Sequence, residues 1–317
     1  MPTPPASITT IDCHYHGEPE KAAAFLVVEG DRAAFVDNNT NIAVPRLLAA
    51  LEARGISPVH VDYLIVTHVH LDHAGGTAEL LRHCPNATVL AHPKAARHLV
   101  DPSRLVAGAK IVYGEEAFTA LYGEIEPVPE DRIHIMEDGE TLRWGSRTFT
   151  FLYTKGHASH HFCIHDSGEN ALFAGDAFGL GRMPSMRPGP AFLVCTSSPP
   201  EFDPQEARIS VQRILDTGAD WAYCTHYGYF DDVAARAEHM LASIAQLEAI
   251  GREAALTELH GDALTAYCCA QVREAFKNHL VNIGVEDPNG DMAWLDLDLD
   301  LNGMGLGIYA ERLRAGK

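Results

Sequence analysis

The stretch V-T-H-V-H-L-D-H-A-G-G, Val66 to Gly76, decides the reading of this chain. It closes a buried-strand run, VDYLIVT (61–67), rich in branched residues, and places His68, His70, Asp72 and His73 within six positions. Side chains of an extended stretch alternate with a period of two, so His68 and His70 point to the same side and together can grip one ion. Asp72 and His73 come where the chain turns into a helix, so they diverge from that pair and face a second position. Gly75 and Gly76 permit the tight turn such a loop needs. Imidazole and carboxylate donors without a thiolate suit Zn²⁺, Fe²⁺ or Mn²⁺.

Outward from this stretch, strands and helices alternate. AAAFLVVEGDRAAFVD (22–37) predicts a hairpin turning at Gly30–Asp31, and VPRLLAALEARG (44–55) a helix ended by Gly55. TAELLRH reads as a helix that Thr77 caps, and ATVLA (87–91) as a strand before the helical PKAARHLV. Residues 103–124 read as helical, and TLRWGSRTFTFLYT (141–154) as a second hairpin. The strands FCIH and ALFA follow, then a helix over 204–218, the strand WAYC and a long helix over 231–250. Three further residues each come directly after a strand: His157 in GHASHH, Asp176 in AGDAFG and His226 in THYG. Strand ends are where an α/β scaffold presents its chemistry. Any one of the three would be ordinary; the set, in this order, is not.

H-x-H-x-D-H, then a glycine-preceded His, then Gly-Asp, then a final His resembles the signature of the metallo-β-lactamase superfamily, from about Ile8 to the helix ending near residue 250. The resemblance implies an α/β fold, a four-layer αβ/βα sandwich with metals at one edge of two facing sheets. Its ligand set, carried over, puts His68, His70 and His157 on one metal and Asp72, His73 and His226 on the second, with Asp176 bridging. Asp37 in FVDNNTN matches a strand-end aspartate that supports the site; Asn38 and Asn39 replace the common Thr-Gly. Ser159 and His160 stand where Pro and Gly are usual, whereas His157 and His161 keep their places. His161 is a candidate for polarising substrate or for a supporting hydrogen bond, and Asp72 for orienting the nucleophile.

Such a site implies a hydrolase. Two cations, zinc first with Fe²⁺ or Mn²⁺ as alternatives, bring a bridging water to hydroxide near neutral pH, and the hydroxide attacks a carbonyl or phosphoryl centre. No nucleophilic serine or cysteine is required, so Cys163 and Cys195 are given no role. The expected substrate is a small-molecule ester, thioester, lactone or phosphotriester. Kept beside this are a single-iron sulfur dioxygenase, an RNA-processing nuclease and a ligand-binding regulator without turnover. The uninterrupted motif argues against flavodiiron reductases, which have Glu where this chain has His70.

Composition narrows the partners. The 317 residues carry 43 acidic against 24 basic side chains, a net charge of −19, which repels nucleic acid and anionic membranes. No run approaches the length of a membrane span, and MPTPPASITTID lacks the basic and apolar regions of a secretory signal. Seven cysteines without a CxxC pair read as reduced thiols in a cytoplasmic protein.

Residues 1–250 are expected to form the catalytic domain, and 251–317 a mostly helical extension packed on it. The extension carries no chemistry of its own; packing on a lid or a homodimer contact are roles open to it. Within it, WLDLDLDL alternates as a strand through about Leu301, with GLGIYAERL as a closing helix. Residues 178–203 show no periodicity and read as a long ordered loop. Phe178, Met183, Met186, Phe192 and Phe202 either line an apolar pocket there or simply pack the loop down, and Arg182 or Arg187 offers a contact for an anionic group. His92, at another strand end, either approaches the same edge or is a satisfied surface histidine.

Overall fold

The hairpin at Gly30–Asp31 forms as read: β2 (Ala23–Glu29) and β3 (Arg32–Val36) pair antiparallel, with Glu29 opposite Arg32. The structure, a computed structural model, describes residues 3–182 and 192–316, with Arg182 described by its backbone alone. Met183, Met186, Arg187 and the Arg182 side chain therefore lie outside the described residues.

The chain divides into two compact units, each described by itself. The first comprises the chain up to Tyr153, His160–Gly175 and Gly218–Asp231. It holds two six-stranded sheets. One runs in the order β1 (Ile8–Asp12), β2, β3, β4 (Val61–Ile65), β5 (Thr88–Ala91), β6 (Ile133–Ile135), and its β3 to β6 are parallel. The other runs β14 (Gly228–Phe230), β13 (Trp221–Cys224), β10 (Ala171–Gly175), β9 (Phe162–Asp166), β8 (Arg147–Tyr153), β7 (Thr141–Trp144).

Parallel neighbours need crossovers, and helices supply them. α1 (Val44–Ala53) joins β3 to β4; α2 (Leu71–Ala74) and α3 (Thr77–His83) join β4 to β5; α4 (Pro93–Val100), α5 (Ser103–Tyr113) and α6 (Glu115–Tyr122) join β5 to β6. Gly55, at φ +67°, lies just beyond the end of α1, a conformation glycine adopts without strain. Leu26 and Phe35 of the sheet pack with Leu47 and Leu51 of α1 in one buried core. Phe25, one residue along, points the other way and packs on Phe173 and Tyr223 of the second sheet at 5.6 and 5.4 Å. Burial of each such side chain contributes about 1.5–3 kcal/mol. The reading of Thr77 as a cap is corrected. Thr77 is the first residue of α3, its hydroxyl donates to the Ala74 carbonyl at 2.7 Å, and Gly76 holds the cap position.

The second unit comprises Thr154–Ser159, Asp176–Thr217 and the chain from Asp232 onward. Residues 178–203 are not structureless: β11 (Leu180–Arg182) and β12 (Phe192–Val194) pair antiparallel within them. α7 (Pro204–Asp216) begins at Asp203, whose carboxylate accepts from the Gln205 and Glu206 amides. α8 (Val233–Leu256), α9 (Gly261–Asn282), α10 (Pro288–Trp294) and α11 (Asp296–Arg314) complete the unit.

The strand expected through Leu301 is corrected as well, because Asp296–Arg314 is one helix. Alternating leucines also satisfy an i, i+4 spacing, and Leu295, Leu299, Asn302 and Leu306 are fully buried along one helical face. Asp296 and Asp298 in the first turn and Arg312 and Arg314 in the last match the helix dipole. The glycines of LNGMGLG permit close approach: a Cβ on Gly305 would meet the Ser197 carbonyl oxygen at 1.6 Å. Among the described residues no helix is long and apolar enough to cross a membrane.

Candidate metal centre

Asp37 follows the last residue of β3 and turns in the left-handed region at φ +56°. Its side chain is fully buried and is the acceptor of four donors. Oδ1 accepts from the Thr67 amide and hydroxyl, each at 2.9 Å. Oδ2 accepts from Thr225 Oγ1 at 2.9 Å and His73 Nδ1 at 2.7 Å. Thr67 and Thr225 each stand immediately before a candidate ligand, His68 and His226. One carboxylate thereby ties the ends of β3, β4 and β13 to α2, in the supporting role that the resemblance implied.

The two asparagines beside it hold the same turn. The Asn38 amide donates to the His73 carbonyl at 2.7 Å, and Asn39 Nδ2 donates to the Asp72 carbonyl at 2.8 Å. Asn39 sits at φ +52°, a conformation in which Asn is the best tolerated residue after glycine. Asn39 thus holds a left-handed position that glycine would also accept, and its side chain supplies a hydrogen bond that glycine lacks.

His73 and His226 are oriented from behind. His73 Nδ1 is engaged by Asp37, and His226 Nδ1 donates to the Lys21 carbonyl at 2.8 Å. In a neutral imidazole this leaves the lone pair on Nε2. Both Nε2 atoms face Asp72 Oδ2, at 3.5 Å from His73 and 3.1 Å from His226. Two nitrogen lone pairs and a carboxylate oxygen repel one another at such spacing unless a proton or a metal cation stands among them. The three residues offer ligand atoms that all lie within 4.8 Å of one another. Histidines with the outer nitrogen fixed by a carboxylate or a carbonyl are the form in which imidazole holds a divalent ion, so these residues fit a metal.

His68 is fully buried, with its ring 4.5 Å from that of His70 and 4.0 Å from that of His73. The period-two reading of His68 and His70 is consistent with this closeness. His161 is also fully buried, its ring 4.9 Å from His68 and its Nε2 where a Cβ on Gly175 would fall, 2.6 Å away. In the second unit, His157 Nε2 and Asp176 Oδ2 are 3.4 Å apart and both residues are buried.

Other candidates are engaged in capping or packing. His92 is buried and caps α4, its Nδ1 accepting from the Lys94 amide at 3.0 Å, so it is satisfied but not at the surface. Phe192 and Phe202 are core residues packed on Trp294 and Tyr309 at 6.2 and 5.6 Å. Sequence gives no signal for Lys21, which contributes a carbonyl, or for the loop that carries it.

The metallo-beta-lactamase superfamily model matches residues 17–241 of this chain. The chain belongs to the metallo-β-lactamase superfamily. A metallo-beta-lactamase fold-containing protein of Sulfurisphaera tokodaii is 31% identical over 123 residues, covering 38% of this chain and 45% of that protein. A hydroxyacylglutathione hydrolase of Salmonella paratyphi A is 28% identical over 160 residues, covering 50% of this chain and 49% of the enzyme. The alignments therefore span about half the length of these relatives. The crystal structure of an archaeal metallo-beta-lactamase superfamily protein from Sulfolobus tokodaii superposes with a TM-score of 0.64 at 20% identity, covering 96% of this chain and 99% of that one. That likeness shows the metallo-β-lactamase fold.

Proposed function

We propose that this metallo-β-lactamase-fold chain is a binuclear hydrolase of small-molecule thioesters. The observation that carries it is the convergence of His73 Nε2 and His226 Nε2 on Asp72 Oδ2, with both Nδ1 atoms engaged from behind. In this reading His68, His70 and His157 hold one divalent ion, Asp72, His73 and His226 hold a second, and Asp176 is shared; zinc is the first choice of metal. Covalent continuity supports the assignment. Asp176 follows Gly175, the last residue of β10, and His157 precedes by three positions His160, whose ring stacks on His68 at 6.1 Å.

When bound, such ions polarise the scissile carbonyl and supply a water acidic enough to attack it near neutral pH. The chain's own part is orientation and proton handling. Asp72 Oδ2 orients the attacking water and receives its proton. Asp37 keeps His73 in one tautomer, and the Lys21 carbonyl does the same for His226. His161, fully buried with its ring 4.9 Å from that of His68, is read as a residue that supports His68 or polarises the substrate. The thioester assignment leans on the name of the hydroxyacylglutathione hydrolase relative, and the net charge of −19 disfavours a polyanionic substrate.

Metal analysis and a substrate panel test this together. The purified protein is expected to hold about two transition-metal ions per chain and to cleave thioesters faster than lactones or phosphotriesters. Asp176→Ala and His157→Ala are expected to lose both metal and turnover. Undiminished metal in those variants overturns the ligand set; turnover confined to RNA, or oxygen uptake with a persulfide, overturns the reaction.

A further inference from the structure

The ten residues between β1 and β2, Cys13 to Ala22, form a loop whose stem is closed by the Cys13 amide donating to the Ala22 carbonyl at 3.0 Å. Its far end is fastened to the metal centre. The Lys21 carbonyl receives His226 Nδ1, and the Ala23 amide donates to the Thr225 carbonyl at 2.9 Å. Its middle packs there too, because Tyr15 lies in one apolar cluster with Leu71, the residue between His70 and Asp72. The Asp12 carboxylate braces the loop from within by accepting the His14 and Glu20 amides, each at 3.1 Å.

His16 is the residue this loop presents. It sits in the left-handed region at φ +59°, and its ring meets that of Tyr15 edge-on at 4.3 Å. Its Nε2 is buried and has no hydrogen-bond partner among the described residues. A buried imidazole nitrogen left unpaired, on a strained backbone, is unfavourable on both counts and persists where function requires it. Burial lowers the pKa of His16, and the Asp72 charge acts on it in the opposite sense. A neutral imidazole nitrogen donates or accepts one hydrogen bond, which a hydroxyl or an amide can complete. The superfamily model begins at residue 17, one position beyond His16.

We propose that His16 is a substrate-contacting residue whose Nε2 hydrogen-bonds an uncharged polar group, a hydroxyl or amide, of the molecule held beside Asp72 and His226. This rests on the thioester reading above, and its test separates the two. The zinc-loaded protein and its His16→Gly and His16→Gln variants are assayed with S-lactoylglutathione, with its deoxy analogue S-propionylglutathione, and with the lactoyl thioester of a simple alkyl thiol. Glycine accepts φ +59° without strain, so His16→Gly is expected to keep full zinc content and an unchanged or slightly higher Tm. KM is expected to rise about tenfold or more with whichever substrates carry the contacted group, and to stay level with the substrate that lacks it, as loss of one hydrogen bond requires. His16→Gln should recover part of that loss. A KM that is unchanged on all three substrates overturns the proposal, as does loss of zinc or a fall in Tm, which would make His16 a ligand or a packing residue. Wild-type protein that binds zinc but neither cleaves these thioesters nor binds S-hexylglutathione overturns both readings; wild-type turnover with His16→Gly at parity overturns this one alone.

Discussion

Asn39 Nδ2 donates to the backbone carbonyl of Asp72 at 2.8 Å, so a side chain at the end of one strand fixes the peptide that carries a proposed ligand on another segment. Hydrogen bonds from outside a ligand set are typically worth about 10–100-fold in metal affinity. Asn39→Gly keeps the left-handed backbone and removes only this bond. The expected result is roughly tenfold weaker binding of one zinc equivalent with little change in fold, read by competition with a chromogenic chelator.

Asp37 is a stronger case. Asn in its place would turn an amide N–H₂ toward donors that need an acceptor, leaving two or more of them unsatisfied in a fully buried site. Asp37→Asn is expected to cost about 2–4 kcal/mol in urea unfolding and to lower zinc content. Retention of both stability and metal would show that the four donors find other partners.

In the second unit, Gly305 and Asn302 hold the segment after β12 against α11. Ser197 Oγ donates to Asn302 Oδ1 at 2.8 Å, and the Ser197 carbonyl occupies the space a Cβ on Gly305 would take. Gly305→Ala is expected to destabilise by about 1–3 kcal/mol, from overpacking against backbone, measured by chemical denaturation. Gly108→Ala, inside α5, is a control for replacing a helical glycine without a clash, because nothing lies within 4 Å there.

Thiol chemistry offers an independent check of the core. Burial pushes Cys84 and Cys195 up to about 12 and Cys268 up to about 11, and it raises Cys13 further still. All seven cysteines are free, and Cys269 is the one with partial exposure. At pH 8 the native protein is expected to show at most one promptly reacting thiol with a disulfide reagent, and all seven in denaturant. Several fast thiols in the native state would contradict the packing.

Acid stability should carry the mark of Glu29. Hydrogen bonds from Ser146, and then the Arg147 guanidinium, hold this carboxylate down at about 2, against 4.5 for the ordinary group. A depressed folded value means that its contribution is present above about pH 4.5 and lost as pH falls toward 2. Tm is expected to fall less steeply across that window in Glu29→Gln than in the wild type.

What the sequence made legible was what depends on period and spacing. The rings of His68 and His70 lie 4.5 Å apart, in keeping with an extended stretch beyond β4, and the hairpins at Gly30 and Gly145 follow from turn chemistry. The alternating Leu–Asp run misled because leucines two apart are also four apart, and only burial of Leu295 with Leu299 selects the helix. The acidic first turn and basic last turn of that segment were the discriminating signal. Asn39 and Lys21 were illegible for a different reason: their contributions depend on which carbonyl or amide the fold brings near, and no spacing rule encodes that. His16 falls in the same class, since a histidine in a loop acquires meaning only from the burial of its nitrogen.

The Lys21 carbonyl has a consequence for mutagenesis. Every substitution at position 21, proline included, keeps a carbonyl oxygen in that place, so replacing the lysine would register the loss of its ammonium, which pairs with Glu18 at 3.4 Å, and not the loss of the acceptor. A scan of side chains would score the position as peripheral, while the peptide it belongs to goes on aiming His226. Shortening the loop by one residue, or an amide-to-ester exchange that weakens the acceptor, is what would expose it.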